Sequence, residues 1–585
     1  MGGVKRTRTW HLVVPLVLLL SSAACGSDDP EPPAVTATPV APPSPAGPAP
    51  SSAAAPTAPA ATGDPAARAA AVVRTLGDED LVGQVLMPYA YGASATEVSA
   101  ASAAGNQKLG GVDTPAEMVA KFRLGGLILV GFSADDPTRG TNPTSNVDNP
   151  EQVRALTAGL QQAATRLPGG APLLIGTDQE FGTVTRVKSG MTVLPAAMAF
   201  GAAGKPDLTE AAWRVGGAEL AAVGINVDFA PVADTLRPQG NAVIGSRSYG
   251  SDPEAVSAQV GAAVKGLRSA GVSSALKHFP GHGHTAADSH DVLPVVAQTR
   301  AALDREDLAP FGAGIAAGAS MVMSGHLDVT AVDPGIPATF SRKIMTDLLR
   351  GKLKFTGVAV TDAMNMAPAK RWPAGEAAVR ALNAGNDLLL MPPDITAARD
   401  GLLTALKDGS LPRARLTEAV TRVLTLRFRH AGRAQPELSS LASTGHQATV
   451  RAAAAAAVTV LRGRCTGALV TGPVTVTASN GREPARVGLV RALQQAGVTV
   501  QAANGAVVHL VGYGDRSTDL NSGAAVTVMM DTPYLLAVAS SPTLLATYSS
   551  SPPALSAVAD VLAGRAKAPG RSPVPVPGLP RTACA

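Results

Sequence analysis

The chain has 585 residues, a formal net charge of +5, and a composition that is 46% hydrophobic and 3% aromatic. That length is too great for one hydrophobic core, so we expect two domains plus leader segments. The charge is small for this length, and no basic runs interleave with aromatic residues, so we predict no nucleic-acid partner.

Residues 1–25 are typical of a secretory signal peptide. Three basic residues precede an apolar stretch from Leu12 to Leu20, which is too short to span a bilayer comfortably. Small residues then lead to Cys25, which resembles the lipidated cysteine of bacterial lipoproteins. We expect export and a lipid anchor at Cys25 that attaches the chain to the bacterial membrane. Plain cleavage and secretion is the alternative.

Residues 26–64 are almost wholly Pro, Ala, Ser and Thr. That composition cannot bury a core and is typical of a semi-rigid spacer. We predict that the folded part follows this spacer as a catalytic domain over residues 65–440 and a smaller domain over residues 450–585.

Eight short apolar runs recur through the first domain, each followed by a polar loop and a helical stretch. Continuous apolar runs that alternate with helices indicate parallel strands covered on both faces. Eight such units predict an α/β fold, a (β/α)8 TIM-type barrel, with catalytic residues just after the strands. A doubly wound open sheet is the alternative. The runs are Val85–Met87, Leu127–Val130, Leu173–Ile175, Ile225–Val227, Ser274–Leu276, Met321–Met323, Val358–Val360 and Leu388–Met391.

Ionisable residues follow five of these runs, as a barrel active site requires. They are Asp178, Asp228, Lys277 with His278, His326, and Asp362. We interpret Asp228, together with Asp234 further along, as a helix cap. His326 either lines a pocket or is a satisfied core histidine. Met364 and Met366 are expected to form apolar wall beside Asp362.

The most informative segment is KHFPGHGHTAADSH, residues 277–290. Pro280 and two glycines break regular structure, so its polar side chains lie on an irregular loop. Asp288 precedes His290 by two residues and can fold back to hold its imidazole as a competent proton donor. Four histidines also suggest a metal site. Their spacing is not the helical i, i+4 pattern and no cysteine assists, so we predict no metal and no other cofactor.

Three further polar clusters accompany this loop: TDQE at 177–180, IGSRSYG at 244–250 and VTDAMNM at 360–366. Together the four segments supply a carboxylate after a buried strand, a His–Asp pair and several charges that can bind hydroxyl groups. That set is typical of sites that cleave a glycosidic bond with retention, where one group attacks the anomeric carbon and another protonates the leaving oxygen.

In this order the four segments resemble those of glycoside hydrolase family 3, in particular its β-N-acetylglucosaminidase branch, from about residue 70 to the end of the chain. The resemblance implies that Asp362 is the nucleophile forming a covalent glycosyl-enzyme, that His290 is the acid/base and that Asp288 orients it. It also implies an α/β sandwich domain after the barrel. The residues that it assigns to the hydroxyls of the terminal sugar are Asp178, Arg247, Lys277 and His278.

The substrate implied is a GlcNAc-containing glycan such as a cell-wall muropeptide. We expect Lys277 and Arg247 to lower the pKa of Asp362 and so keep it ionised. A neutral imidazole at His290 does not repel an anion, so phosphate could replace water as the acceptor. A GlcNAc phosphorylase and a β-glucosidase on the same fold are therefore alternatives. A wall-binding lipoprotein without catalysis is the alternative from another class.

The chain departs from the family pattern at three positions. His284 stands where the family usually has Asp, Phe181 where it has Gly, and Thr183 where it often has Arg. We expect each of them to flank the pocket and to affect leaving-group preference. Phe181 either stacks on a sugar face or belongs to the core.

The second domain shows the pattern of a smaller α/β unit, with an amphipathic helix over Pro484–Ala496 and a final helix from Ser551 to Leu562. Cys465 and Cys584 are the only cysteines after Cys25. In an oxidising compartment we expect them to form a disulfide, with two unrelated thiols as the alternative. The apolar runs of this domain are Val458–Leu461, Ala468–Val470, Val507–Val511 and Val526–Met530.

Overall fold

The computed structural model describes residues 63–131, 146–237, 241 and 243–584. The predicted signal segment, Cys25 and the linker up to residue 62 lie outside the described residues. No helix in the described ranges is long and apolar enough to cross a membrane.

The first domain is a barrel of eight parallel strands, and each of the eight apolar runs lies at one of them. These strands are buried on both faces by the barrel interior and the surrounding helices, which is why they are continuously apolar. Two short strands, β6 and β8, lie outside the barrel. The strands of this domain are β1 (Leu86–Met87), β2 (Gly126–Ile128), β3 (Leu174–Thr177), β4 (Val227–Asp228), β5 (Ser273–Phe279), β6 (Val295–Val296), β7 (Met321–Ser324), β8 (Asp328–Val329), β9 (Val358–Thr361) and β10 (Leu389–Leu390).

The sheet closes on itself. Strands β2, β3, β4, β5, β7 and β9 pair in that order, and β1 pairs with β10 in parallel. A parallel bridge between Val360 and Leu388 joins β9 to β10. The Ile128 N–H donates to the Pro88 carbonyl at 3.0 Å, which joins β1 to β2. The TIM-type barrel is therefore confirmed, and the open doubly wound sheet is wrong because no barrel edge is left free.

Helices cover the outside of the barrel, and several begin where the sequence signals a start. At the start of α8, for example, the Asp252 side chain accepts from the backbone N–H groups of Glu254 and Ala255, and Pro253 is the first helical residue. The α-helices of the chain are α1 (Pro65–Val73), α2 (Asp78–Gln84), α3 (Ala100–Gly110), α4 (Pro115–Phe122), α5 (Pro150–Ala164), α6 (Ala197–Ala203), α7 (Pro206–Ala222), α8 (Pro253–Ser269), α9 (Arg300–Ala302), α10 (Leu308–Ala316), α11 (Ala374–Ala384), α12 (Ile395–Asp408), α13 (Arg413–Arg429), α14 (Thr444–Ala457), α15 (Glu483–Gln495) and α16 (Pro552–Leu562).

Two short strands hold the loop of residues 277–290, here called the histidine loop, at the mouth of the barrel. Strand β6 follows His290, strand β8 follows His326, and the two pair in parallel through Val295 with Asp328 and Val296 with Val329. The Ala367 N–H also donates to the His290 carbonyl at 3.3 Å. The loop that carries His290 is thus tied to the segments that follow β7 and β9.

The second domain contains one five-stranded sheet in the order β11, β15, β14, β13, β12, with β11 antiparallel to β15 and the other pairs parallel. Helices α15 and α16 lie where the sequence predicted them. The prediction of a strand at Ala468–Val470 is wrong, because those residues form irregular, bent backbone. The strands are β11 (Thr459–Arg462), β12 (Val474–Ala478), β13 (Ala506–Val511), β14 (Val526–Met529) and β15 (Thr543–Ala546).

The barrel and the second sheet belong to one compact unit that runs to the end of the chain. A single apolar cluster contains residues of both. Its buried members include, from the barrel, Met198, Val232, Leu236 and Ile244, and from the second domain, Val511, Met529, Leu536 and Leu544. Cys465 and Cys584 form a disulfide with their Cα atoms 5.3 Å apart.

Candidate active site

One pocket at the carboxyl ends of the barrel strands collects the residues that the sequence singled out. The space between its lining residues, including the open mouth, is about 550 Å³. Six predicted residues line it, and the seventh, Asp288, lies behind His290. The six are Asp178, Arg247, Lys277, His278, His290 and Asp362.

A buried network of charges forms one side of the pocket. The Arg247 guanidinium donates to both oxygens of Glu180, with Nε 2.7 Å from Oε2 and Nη2 2.9 Å from Oε1. Lys277 Nζ lies 2.6 Å from Glu180 Oε1 and 2.6 Å from Asp178 Oδ1. Arg186 Nη2 lies 3.9 Å from Asp178 Oδ2. Asp178 follows β3 directly and keeps part of its carboxylate open to the pocket.

The opposite charges in this network keep Glu180 and Lys277 ionised although both side chains are buried. Burial raises the pKa of Glu180, but Arg247 and Lys277 more than offset it and lower the pKa to about 2. The pKa of Lys277 is raised, because Asp178 and Glu180 outweigh the effect of burial. Burial and the neighbouring Arg247 lower the pKa of Arg186 to about 9. The network therefore presents fixed donors and acceptors to a sugar that enters the pocket.

His278 projects from the end of β5 and is held by Asp234. Its Nδ1 lies 2.8 Å from Asp234 Oδ2, and its Nε2 lies 3.3 Å from Arg247 Nη2. Because a guanidinium only donates, Nε2 accepts and the ring proton lies on Nδ1. Asp234 Oδ1 also accepts from the backbone N–H groups of His278 at 3.1 Å and His282 at 2.8 Å.

The helix-cap interpretation of Asp228 and Asp234 is therefore wrong. Asp234 is fully buried and organises the histidine loop. Asp228 is also fully buried, and its Oδ1 accepts from the Gln179 N–H at 3.0 Å, which fixes the TDQE turn. Burial raises the pKa of Asp228 well above its ordinary value.

Asp288 and His290 form the pair that the sequence predicted. Asp288 Oδ1 lies 2.6 Å from His290 Nδ1 and also accepts from the His290 backbone N–H at 2.9 Å. Burial alone would raise the pKa of Asp288. Its hydrogen bonds to His290 and the charge of that ring outweigh burial, so the pKa is lowered and the carboxylate stays ionised. A carboxylate at Nδ1 leaves Nε2 as the ring atom that can exchange a proton with a ligand in the pocket.

The rest of the histidine loop is fastened by buried polar contacts. His282 Nδ1 lies 2.8 Å from Thr285 Oγ1, and its Nε2 lies 3.1 Å from Ser289 Oγ. The Asn241 side chain donates to the His282 carbonyl at 3.0 Å. Burial lowers the pKa of His282 to about 4, so this ring is neutral at physiological pH. These contacts hold the loop on the side that leads to His290.

Asp362 lies directly after β9. Its N–H donates to the Ser324 carbonyl at 2.9 Å, and its Oδ1 accepts from the Ala363 N–H at 2.8 Å. Burial raises its pKa, but His278, His326 and His290 together with the Ala363 N–H outweigh that effect, so the pKa is lowered.

The predicted direction of this shift is right and the predicted cause is wrong. Lys277 and Arg247 are engaged by Asp178 and Glu180, and the pKa of Asp362 is lowered instead by the charge that the neighbouring imidazoles carry when they are protonated and by the Ala363 N–H.

His326 is a satisfied core histidine rather than a pocket wall. It is fully buried, with Nδ1 2.9 Å from Thr339 Oγ1 and Nε2 3.1 Å from the Ala363 carbonyl. It stacks on Phe340 with the ring planes 3° apart. The ring therefore supports the backbone beside Asp362. Met366 lines the pocket as expected, and Met364 is buried.

None of the three departures from the family pattern lines this pocket, although Phe181 and Thr183 adjoin Glu180 and Val184, which do. Phe181 is buried in the core with its ring centroid 5.5 Å from that of Trp213. His284 Nδ1 lies 2.9 Å from Asp307 Oδ1 on the outer side of the loop. Thr183 lines a separate crevice against the second domain.

Sequence reasoning missed Glu180, Asp234 and Arg186. Glu180 lies in the TDQE segment, two residues after Asp178. A second carboxylate so close to Asp178 could have indicated that it belongs to the same site. Asp234 contacts His278 from 44 positions away, and Arg186 lies in the same loop as its partner Asp178 without a local pattern that marks it. Among the described residues, no cluster of three or more His, Cys, Asp or Glu side chains could hold a metal ion.

Comparison with known proteins agrees with this geometry. The family model of the "Glycosyl hydrolase family 3 N terminal domain" matches residues 86–426, which include all eight barrel strands. The chain belongs to glycoside hydrolase family 3.

Its relatives include β-hexosaminidases. The β-hexosaminidase of Pseudomonas aeruginosa is 39% identical over 277 residues, which cover 46% of this chain and 80% of that protein. β-Hexosaminidase A of Pseudoalteromonas piscicida is 36% identical over 339 residues, 53% of this chain and 54% of that protein. The chain thus spans about half the length of the latter relative.

A solved structure extends the similarity to the second domain. A glycoside hydrolase family 3 β-N-acetylglucosaminidase from Paenibacillus sp. str. FPU-7 superposes with a TM-score of 0.75 at 33% identity. The match covers 86% of this chain and 99% of that chain. The barrel followed by an α/β domain is therefore an arrangement that this chain shares with a family member.

Proposed function

We propose that this protein is a retaining exo-β-N-acetylglucosaminidase that removes terminal β-GlcNAc from cell-wall muropeptides or related glycans. The observation that carries the proposal is the convergence of Asp362 and the Asp288-held His290 on one pocket. The names of its β-hexosaminidase and β-N-acetylglucosaminidase relatives support the choice of sugar.

In the proposed first step, the Asp362 carboxylate attacks the anomeric carbon while His290 Nε2 gives its proton to the leaving oxygen. The glycosidic bond breaks and a covalent glycosyl-enzyme forms at Asp362. In the second step, the neutral His290 imidazole takes a proton from water, and the resulting hydroxide displaces Asp362 with a second inversion. Asp288 stabilises the imidazolium that exists before the first step and after the second.

Substrate hydroxyls are assigned to the charge network. Asp178 accepts hydrogen bonds and Lys277 and Arg247 donate them, while Glu180 keeps both cations in place. A ring held in this way has its anomeric carbon close to Asp362, which makes the attack effectively intramolecular. We further propose that the chain is exported and that Cys25 anchors it to the membrane facing the wall, on the strength of the signal-like residues 1–25.

Hydrolysis of an aryl β-GlcNAc compared with the matching aryl β-glucoside tests the proposal. We expect a strong preference for the acetamido sugar and a loss of about a hundredfold or more in His290→Ala on a poor leaving group. Equal rates on the two sugars would indicate a β-glucosidase. Added phosphate distinguishes the phosphorylase alternative, because it would then yield the sugar 1-phosphate in place of the free sugar.

A further inference from the structure

A second crevice lies between the barrel and the carboxyl ends of the second domain's parallel strands. Its space, including the open mouth, is about 1540 Å³, against about 550 Å³ for the active-site pocket on the same basis. Gly512 follows β13, Asp531 follows β14 and Ser550 follows β15, and all three line it. In open α/β sheets this edge is the usual place for a ligand. The sequence predicts no ligand site among the residues of the second domain that line it.

Asp531 is an unsatisfied group that points to a ligand. Its side chain is buried, with 6% of the residue exposed, and it lines the crevice. Its Oδ1 has no hydrogen-bond partner anywhere in the described part of the chain. Burial raises its pKa, although hydrogen bonds from Ser246 and Thr532 to the carboxylate and the charge of Arg482 lower it in part, so that only Oδ1 lacks a donor. A buried acceptor without a donor is costly, so a ligand that brings hydroxyl or amide N–H groups would be stabilised here.

Positive charge also surrounds the crevice. Lys188 lines it from the barrel, and Arg482 and Arg491 line it from the second domain. The first turns of α15 and α16 lie at its edge, and the N-terminus of a helix attracts anions. Arg491 is exposed and forms no ion pair with any described residue. A ligand with a carboxylate would supply the missing partner.

The remaining lining combines neutral hydrogen-bonding groups with apolar surface, which suits the polar edges and apolar faces of sugar rings. The polar side chains are Thr183, Gln495, Tyr513, Ser550 and Ser556, and the apolar ones include Pro484, Val487, Met530 and Leu555.

We propose that this crevice is an accessory binding site for an acidic saccharide, with sugar hydroxyls donating to Asp531 and a sugar carboxylate bound by Arg491 and Lys188. This site is separate from the catalytic pocket and goes beyond the proposed glycosidase activity. One loop forms the wall between the two, because Val184 and Arg186 line the pocket while Thr183 and Lys188 line the crevice. A glycan held in the crevice would therefore stay beside the active site.

Calorimetric titration of the full chain tests the site with N-acetylmuramic acid, which carries a carboxylate, and with N-acetylglucosamine, which does not. Excess N-acetylglucosamine is also present in a repeat titration to occupy the catalytic pocket. We expect saturable binding of the acid that persists in that repeat and weakens at least about tenfold in Arg491→Gln, since one charge-assisted contact is lost. Arg491 is exposed, so this variant should fold.

Arg486→Gln is the matched control. Arg486 lies on the same helix but pairs with Glu483 outside the crevice, with contacts of 2.6 and 2.7 Å. We expect it to bind the acid within about twofold of the unaltered chain, and Asp531→Ala to bind more weakly than both. Equal binding by Arg491→Gln and Arg486→Gln would overturn the proposal. So would tighter binding of inorganic sulfate or of the dipeptide alanyl-glutamate than of the sugar acid.

The glycosidase proposal has an independent readout. Arg491→Gln should hydrolyse a small aryl β-GlcNAc at the rate of the unaltered chain, because that substrate reaches only the catalytic pocket. A chain that binds the sugar acid but hydrolyses nothing would contradict the glycosidase proposal and leave the accessory site standing.

Discussion

Glu180 grips Arg247 through two parallel hydrogen bonds of 2.7 and 2.9 Å, and both side chains are buried beside the pocket. The same carboxylate lies 2.6 Å from Lys277 Nζ. Both cations are therefore fixed before a sugar arrives, and binding does not have to order them. The glutamate that does not touch the reacting atoms is thus the residue that holds the sugar-binding donors in place.

This arrangement predicts a particular dependence of stability on acid. The pKa of Glu180 in the folded chain is about 2 against an ordinary 4.5. Its stabilisation is therefore fully present above pH 4.5 and is lost as the pH falls toward 2, where the carboxylate takes up a proton. The contribution is about 3 kcal/mol at neutral pH. Urea unfolding measures the free energy of unfolding at each pH. We expect the acid limb, the fall in that free energy between pH 4.5 and 2, to be shallower in Glu180→Gln than in the unaltered chain.

Glu483→Gln provides the control for that experiment. Glu483 pairs with Arg486 at the surface, where an ion pair adds little stability. We expect this variant to keep the acid limb of the unaltered chain. Parallel acid limbs for Glu180→Gln and the unaltered chain would contradict the assigned role of Glu180.

Asp234 is predicted to control the tautomer of His278. In Asp234→Asn the amide cannot hold Nδ1–H and both backbone N–H groups in the same way, so His278 Nε2 is no longer fixed toward Arg247. We expect kcat/KM to fall about tenfold to a hundredfold, as for other groups that orient a binding residue. Steady-state kinetics on an aryl β-GlcNAc measure it.

Asp307→Asn is the matched control for Asp234→Asn. Asp307 binds His284 of the same loop at 2.9 Å, but on the side away from the pocket. We expect its kcat/KM to stay within about threefold of the unaltered chain, because no group that touches the sugar changes. Equal losses in the two variants would show that loop stability, not the orientation of His278, is what Asp234 supplies.

Asp288→Asn should impair proton transfer more than sugar binding. Without the carboxylate 2.6 Å from Nδ1, the imidazolium of His290 loses its stabilising partner. We expect kcat on an alkyl β-GlcNAc, which needs a proton on its leaving oxygen, to fall about a hundredfold or more. The loss on a nitrophenyl glycoside, which leaves as an anion, should be much smaller. A uniform loss across leaving groups would rule out the dyad as acid/base.

Phe181 gives a prediction about stability. Its φ of 64° lies in the left-handed region, and its ring occupies space beside Gly216 of α7. A Cβ at Gly216 would lie 2.8 Å from Phe181 Cζ, so Gly216→Ala should be destabilised by about 1–3 kcal/mol through overpacking. In Gly261→Ala of α8 the nearest atom is 3.9 Å away, so helix propensity should stabilise it slightly. Thermal unfolding compares the two.

The barrel could be predicted from the sequence because each of its strands is short, apolar and buried on both faces. The second sheet was predicted less well. Strand β12, with the sequence VTVTA, alternates apolar and polar residues and was passed over, whereas Ala468–Val470 is apolar but forms irregular, bent backbone. An apolar triplet carries no information about whether a partner strand lies beside it, and only the tertiary structure supplies that partner.

For the site, the sequence identified most of the side chains that face the pocket and the local partner Asp288, but not the partners that act from other loops. Asp178, Lys277, His278 and Asp362 stand at strand ends, where the fold exposes them. The contacts of Glu180 with Arg247 and of Asp234 with His278 join residues 67 and 44 positions apart. Such contacts depend on how the barrel brings its loops together, and no spacing in the chain encodes them.

The most direct measurement of the central claim is the location of a trapped glycosyl group. A 5-fluoro β-GlcNAc donor with a good leaving group should slow the second step more than the first, so that the glycosyl-enzyme accumulates. Peptide mass spectrometry should then find the added sugar on Asp362, and His290→Ala should still be labelled, because that leaving group needs no proton. A label on another residue, or turnover of the natural bond with Asp362 replaced by Ala, would contradict the account.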